Sequence, residues 1–544
     1  MKKHFALVVM LTLWLLAGPL RAADKRPNIL LIIADDLGFS DPGCYGSEIH
    51  TPNLDRLAAE GTRFTRFYNC ARCWPTRTSI MTGYYATQTG ADPNLGNGNY
   101  VDWTTPLPQM LEPHGYRTYH SGKWHVQATG CLSAHSAGFD RAYDEAQGWL
   151  YYTPFYHALD GEMLPQPSLE DDYFMDRAIG TRMVEFLEQH FDEHSDRPFF
   201  AYLSFLGPHY PLKAPEEFVD KYEGVYDEGW DAIRRRRFER QRELGFPSDW
   251  EPAAPEPHVI SEHSPQTDAA RGEQNEKLGF EDVYRYTPWD SLSPERQRQQ
   301  ADKMEIHAAM VDHLDHQIGR VLTLLEQNDA LDNTLVMFLS DNGADSTQMY
   351  PDQQMKAEQL YYHDPEARWG SEYTVLALGP AWSSACNTPF RRHKIWTHEG
   401  GIATPLIVRW PEGLEVEAGS FVHARGHVID FMPTFLELAG GAVRPPAEAA
   451  PPFPGRSMLP AFRGEPIGHE VLYFKHAGNR ALIKGEWKVV SAAIDENEWE
   501  LYHLAEDRTE MHNLRSSHFE KLRELVLEWH EIDNRYGRQG GYTK

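Results

Sequence analysis

Five consecutive residues, Cys73-Trp74-Pro75-Thr76-Arg77, bring a thiol, a helix-starting proline and a guanidinium together. Pro75 suits the first turn of a helix, where its missing N–H leaves no bond unmade, so the chain enters a helix just after Cys73. Arg77 follows at a spacing of four and can reach back over the Cys73 side chain, and the free N–H groups of the helix start add positive character there. That is a site for an anion. Asp35-Asp36 and Asp341-Asn342 offer only oxygen ligands, which suits a hard divalent cation better than zinc. Lys123 and Lys394 can stabilise oxyanion charge, and His125 and His209 can move protons near neutral pH.

These residues must be carried to one place by the elements that precede them. The run Asn28 to Ala34 is continuously apolar, as in a strand buried on both faces, and it ends in Asp35-Asp36. The pattern recurs where Tyr116 to His120 runs into Lys123 and His125, where Phe199 to Phe205 runs into His209, and where Leu335 to Leu339 runs into Asp341-Asn342. In an open α/β sheet, ligands bind beyond the carboxyl ends of the strands, so four such endings can converge on one cleft. Thr51 to Gly61 reads as a helix with a capping Thr51, Pro52 at its first position and a terminal glycine. Met304, Ala308, Val311, Leu314, Ile318, Val321 and Leu325 form an amphipathic helical stripe, and Leu406 to Val408 is a further strand.

A Pro- and Ala-rich stretch from Pro445 to Pro454 marks a boundary. The reading is a catalytic domain over residues 26–444, a linker over 445–465 and a small subdomain over 466–544. In the last, Val471 to Phe474, Ala481 to Ile483, Trp487 to Val490 and Trp499 to Leu504 are short strands before a helix from Phe519 to Ile532. The fold class is α/β, a large mixed sheet flanked by helices, with a C-terminal α+β subdomain of antiparallel sheet and helix.

The net charge of −28 is spread without a long single-sign run, which argues against nucleic acid as a partner. Arg234 to Arg237 is the exception, and its interleaved Glu228, Asp231 and Glu239 make it a solvated helix face. Residues 1–22 read as a signal peptide: Lys2 and Lys3, an apolar run from Phe5 to Ala17, then Ala22-Ala23. The run is short for a membrane anchor, and export to the periplasm or beyond is expected. An oxidising compartment would permit up to two disulfides among Cys44, Cys70, Cys131 and Cys386, with no pairing preferred. Cys70 and Cys73 form a Cys-x-x-Cys, yet no second one follows to complete a zinc site.

The string Cys73-x-Pro75-x-Arg77, followed after four residues by Thr82-Gly83, resembles the signature of the type I sulfatases. The resemblance implies that a formylglycine-generating enzyme oxidises Cys73 to formylglycine, whose aldehyde hydrates to a diol that attacks sulfur. It implies Asp35, Asp36, Asp341, Asn342 and the modified Cys73 as metal ligands, with Ca²⁺ preferred over Mg²⁺. Lys123-x-His125, His209 between Pro208 and Pro211, and Lys394 ahead of Glu399-Gly400-Gly401 match the family's segments. The expected roles are Lys123 and Lys394 on sulfate oxygens, His209 as general acid to the leaving alcohol, and Asp341 as proton acceptor from the diol. His125 would assist sulfate elimination and Arg77 would orient the diol. Similarity extends to Tyr222 through Asp231, to Trp289-Asp290 and to Trp499-x-Leu501-Tyr502 with Glu510 and Asn513-Leu514. It implies an alkaline phosphatase-like fold and hydrolysis of an aryl sulfate or sulfated carbohydrate. A phosphomonoester or phosphonate ester hydrolase of the same superfamily is the nearest alternative. A secreted binding protein with unconverted Cys73 is a further one, against which the full set of lysines, carboxylates and histidines argues.

Overall fold

The computed structural model describes residues 26–91, 100–131, 133–145, 150–256, 286–347 and 366–541. The segment read as an export signal lies outside them. The first apolar run is the strand Asn28–Ala34, inside a ten-stranded sheet. It pairs in parallel with Phe199–Ser204 on one side and Thr334–Ser340 on the other, and Arg117–Lys123 extends the parallel set beyond Phe199–Ser204. Leu406–Arg409 joins Thr334–Ser340 in the antiparallel sense, which makes the sheet mixed.

Side chains of the Asn28–Ala34 strand alternate between two apolar layers. Leu30 and Ile32 pack with Ile179, Met183, Leu314, Ile318 and Val321 of the helices Met175–His194 and Pro294–Gln327. Ile29, Leu31 and Ile33 pack with Tyr116, Phe200, Phe431 and Phe435 on the opposite side. Because both faces are covered, every position from Ile29 to Ala34 must be apolar, and that run shows no alternation in the sequence.

The strands Val471–His476, Asn479–Lys484, Trp487–Ser491 and Trp499–His503 form a separate antiparallel sheet. One face holds Leu525, Trp529 and Ile532 of the helix Phe519–Gln539. The other sets Leu472, Phe474, Ala481, Ile483 and Val490 against Tyr68, Ala71 and Ile402 of the large unit. The last helix continues past Ile532 to Gln539, and Tyr536 there meets the rings of Tyr85 and Tyr473.

Two expectations change. Thr51 precedes the helix Pro52–Glu60 without capping it; its hydroxyl accepts from the Gly43 N–H at 2.8 Å and donates to Asp55 at 3.2 Å. The arginine run is not solvated throughout. Residues three apart share a helix face, and on Gly229–Glu243 that face is buried: Arg237 pairs with Asp41 at 2.7 Å and Glu48 at 2.8 Å, while Arg234 donates to Ser384 and the Ala253 carbonyl. Arg235 and Arg236 alone of the four face water. All five cysteines are buried, and none is joined to another in a disulfide.

Candidate active site

Strand register brings the acidic pairs together. Ala34 lies opposite Ser340, so Asp35-Asp36 and Asp341-Asn342 leave the sheet side by side. Ser204 lies opposite both Ile33 and Gly122, which places Lys123 at the same edge. The four strand endings thus converge at the carboxyl edge of the parallel set.

The helix Cys73–Thr82 starts at Cys73, is buried along its whole length and ends at Gly83, whose φ of 75° suits the left-handed turn. Thr76 Oγ1 accepts from the Cys70 N–H at 2.9 Å and donates to the Asp341 carbonyl at 2.7 Å, tying the helix start to a strand end. Arg77 Nε donates to Asp341 Oδ2 at 2.8 Å, and Nη1 donates to the Lys123 carbonyl at 3.0 Å and to Ser204. Its hydrogen bonds therefore brace three strand ends. Nη2 sits 2.8 Å from Asp341 Oδ2 in ion-pair contact, but no acceptor is aligned with its N–H groups.

Cys73 Sγ and one carboxylate oxygen each of Asp35 and Asp341 lie within 4.8 Å of one another, and Asp35, Asp36 and His209 form a second such group. Lys123 Nζ donates to Asp35, and Lys394 Nζ bridges Asp36 at 2.9 Å and Asp345 at 2.8 Å. Asn342 Nδ2 donates to Asp36 Oδ1 at 2.7 Å. Burial opposes the charge on Asp35, but Lys123, His209, Arg77 and Lys394 outweigh it and hold its carboxyl well below the usual range. For Asp36 burial wins, with Lys394 opposing and Asp345, Asp35 and Asp341 reinforcing, so its carboxyl is raised. Asp341 is raised to about 6 by burial and by Asp35, against the pull of Arg77. Burial likewise raises the Cys73 thiol against the pull of Lys123 and Lys394.

Asp35 Oδ1 and Asn342 Oδ1 are buried with no hydrogen-bond partner. Such atoms are costly unless something polar meets them. An all-oxygen set, desolvated and with two oxygens unpaired, fits a hard divalent cation.

His209 Nδ1 bonds the Tyr210 carbonyl, so Nε2 is the nitrogen turned to the site, 3.5 Å from Asp36 Oδ2. Burial lowers its pKa to about 3, with Asp35 opposing and Lys394 and Lys123 reinforcing. His125 is also lowered, by burial and then by Lys123 and Arg77, and its Nδ1 is unpartnered. The positive φ of Asp36 (68°), Ala71 (63°), His125 (48°) and Ile395 (80°) concentrates strained backbone around the cleft.

Lys394 is set by glycines. A Cβ on Gly343 would stand 1.8 Å from the Gly400 carbonyl oxygen, and one on Gly400 would stand 2.2 Å from that of Arg392. The two turns therefore pack backbone to backbone, and the Lys394 N–H reaches the Ala344 carbonyl at 3.1 Å. Asp35, Asp36, Cys73, Arg77, Lys123, His209, Asp341, Asn342 and Lys394 meet in this cleft, and His125 lies within electrostatic reach of Lys123, Arg77 and Asp35. Asp345 and Ser204 were not foreseen there; Asp345 follows Asp341 by four residues, within the same turn segment.

The sulfatase family profile matches residues 27–442. The chain belongs to the sulfatase family. A second profile, that of the N-sulphoglucosamine sulphohydrolase C-terminal region, matches residues 391–532 of this sulfatase. An arylsulfatase of Klebsiella aerogenes is 30% identical over 78% of this chain and 89% of its own. An N-acetylglucosamine-6-O-sulfatase of Bacteroides thetaiotaomicron is 26% identical over 96% of this chain and 88% of its own. The crystal structure of Ps i-CgsB shares the fold at a TM-score of 0.65 and 22% identity, covering 95% of this chain and 94% of that one. The sulfatase is thus an enzyme that hydrolyses sulfuric esters to alcohol and inorganic sulfate, built on the α/β fold with a C-terminal antiparallel sheet.

Proposed function

We propose that this sulfatase acts with Cys73 as formylglycine and with a hard divalent cation, Ca²⁺ ahead of Mg²⁺, held by Asp35, Asp36, Asp341, Asn342 and the modified Cys73. The observation that carries the reading is the approach of Cys73 Sγ and the Asp35 and Asp341 carboxylates within 4.8 Å, beside the unpaired Asp35 Oδ1 and Asn342 Oδ1. When present, the cation polarises a sulfate oxygen and the aldehyde hydrate supplies the nucleophilic oxygen.

The other roles fall to the chain's own side chains. Lys123 and Lys394 bind sulfate oxygens as charge develops on them. Arg77 offers Nη2 to orient the hydroxyls at Cys73, and Asp341 accepts a proton from the attacking one. His209 gives a proton from Nε2 to the leaving oxygen. Burial, reinforced by Lys394 and Lys123, disfavours its cationic form, so the negative charge of the bound sulfate is what recruits it. His125 moves the proton that returns the Cys73 side chain to its starting form. The arylsulfatase and sugar-sulfatase relatives support aryl sulfates and sulfated carbohydrates as the substrate classes.

The same reading has residues 1–22 direct export to the periplasm or beyond, with conversion by a formylglycine-generating enzyme and with neither nucleic acid nor a membrane anchor as partner. Among the described residues, no helix is long and apolar enough to cross a membrane. It also retains 26–444, 445–465 and 466–544 as catalytic domain, linker and C-terminal subdomain. The test is mass spectrometry of active protein. The Cys73 peptide is expected about 18 Da below its thiol form, since the change removes H₂S and adds oxygen. A full thiol mass in fully active enzyme refutes the nucleophile.

A further inference from the structure

A hairpin of the C-terminal sheet comes up beside the cleft. Val471–His476 and Asn479–Lys484 turn at Ala477 and Gly478, with φ of 47° and 86°. Asn479 Nδ2 donates to the Ile395 carbonyl at 3.2 Å, and the Ile395 N–H donates to the Ala71 carbonyl at 2.7 Å. The hairpin is thereby fastened next to Lys394 on one side and two residues from Cys73 on the other. His476 closes the first strand. Its side chain is buried, with the residue 3% exposed, and its ring stands edge-to-face to Trp74 with centroids 6.2 Å apart. Neither ring nitrogen has a hydrogen-bond partner.

A buried imidazole with both nitrogens unpaired has given up hydration without compensation. Asp35 Oδ1, Asn342 Oδ1 and His125 Nδ1 in the same cleft are likewise without hydrogen-bond partners, as are buried atoms elsewhere in the fold such as His313 Nδ1. Burial, then the charges of Arg72 and Lys394, keeps the His476 ring neutral by lowering its pKa well below the ordinary value. A neutral imidazole offers one donor and one acceptor, which matches a hydroxyl, itself both donor and acceptor. It gives no charge to a second anion.

We propose that His476 determines specificity by hydrogen-bonding a hydroxyl on the alcohol part of the ester, so that this sulfatase favours sulfated carbohydrates over aryl sulfates that lack hydroxyls. The proposal rests on the sulfatase reading of the Cys73 site and adds the class of alcohol.

The test uses the full, formylglycine-bearing chain as wild type, His476→Phe and His476→Gln. His476→Phe keeps an aromatic ring against Trp74 and removes both nitrogens, whereas His476→Gln keeps a donor and an acceptor. Each is assayed on 4-nitrophenyl sulfate and on the 6-sulfates of N-acetylglucosamine, N-acetylgalactosamine and galactose, with thermal unfolding followed in parallel. His476→Phe should lower kcat/KM on the best sugar sulfate about ten- to hundred-fold while changing 4-nitrophenyl sulfate about twofold or less, and His476→Gln should recover part of the loss. In the wild type, removing one sugar hydroxyl from that substrate should cost a similar factor, and in His476→Phe the same removal should cost little more. This arm stands even if a variant folds poorly, because it changes the substrate: no deoxy position with a loss in the wild type overturns the proposal. Equal losses on sugar and aryl substrates overturn it, as does a wild type that hydrolyses 4-nitrophenyl sulfate and none of the sugar sulfates; both leave the sulfatase reading intact. A converted wild type inactive on every ester overturns that reading as well.

Discussion

Arg77 brings Nε and Nη2 to 2.8 Å from a single oxygen of Asp341, and only Nε is aligned to donate. The pair is fully buried, so neither charge can be solvated if the other is removed. Arg77→Ala should lower stability by about 3–5 kcal/mol in urea unfolding, because Asp35 and Asp341 then lose their shared counter-charge. Arg77→Lys should recover much of that stability but little turnover, since an ammonium cannot span Asp341, Ser204 and the Lys123 carbonyl together. Full turnover in Arg77→Lys would remove the orienting role.

Asp35 Oδ1 and Asn342 Oδ1 are the unpaired oxygens of the cleft. Asn342→Ala and Asp35→Ala should each lower bound metal, measured by atomic emission on purified protein, in step with turnover. Chelation of the wild type should abolish activity, and Ca²⁺ should restore it better than Mg²⁺. Unchanged metal stoichiometry in both variants would take these residues out of the cation site.

His209 turns Nε2 to the site, with Nδ1 committed to the Tyr210 carbonyl. If it protonates the leaving oxygen, His209→Ala should slow sugar or alkyl sulfates by about 10²- to 10⁴-fold, and activated aryl sulfates far less, because a phenolate can leave unaided. The measurement is kcat across leaving groups of graded pKa. A flat loss across the series would assign His209 to sulfate binding and favour His125 as the acid.

Lys488 Nζ lies 2.8 Å from Glu399 and 2.7 Å from Glu510, with all three buried between the C-terminal sheet and the segment that follows Lys394. Lys488→Ala takes its cation from buried Glu510 while Glu399 keeps Arg508, and should cost about 3–5 kcal/mol. Lys488→Ala combined with Glu510→Gln should cost less than the sum of the separate changes, which a double-mutant cycle in urea reads directly. Additive losses would show that the cluster does not act as a unit.

What the sequence determined by itself was local or repeated. Cys73-x-Pro75-x-Arg77, the apolar runs and the polar pairs that end them are written in residue type and short spacing, and those fixed the strands, the helix start and the identity of the cleft residues. The strands of the small sheet were equally visible, because each is bounded by turns. Other features depended on which face of an element meets which neighbour. The Arg234 and Arg237 side chains look solvated in a charged helix and are buried because that one face packs inward, against Asp41, Glu48 and Ser384. Strand register put Asp341 and the Lys123 carbonyl within reach of Arg77. Asp345 and His476 carry no motif. Tertiary packing alone set the first against Lys394 and brought the second, from a separate sheet, to Trp74 beside Cys73. Spacing along a chain encodes contacts within a turn or a strand, whereas contacts between residues hundreds of positions apart exist only once register and packing have closed the fold.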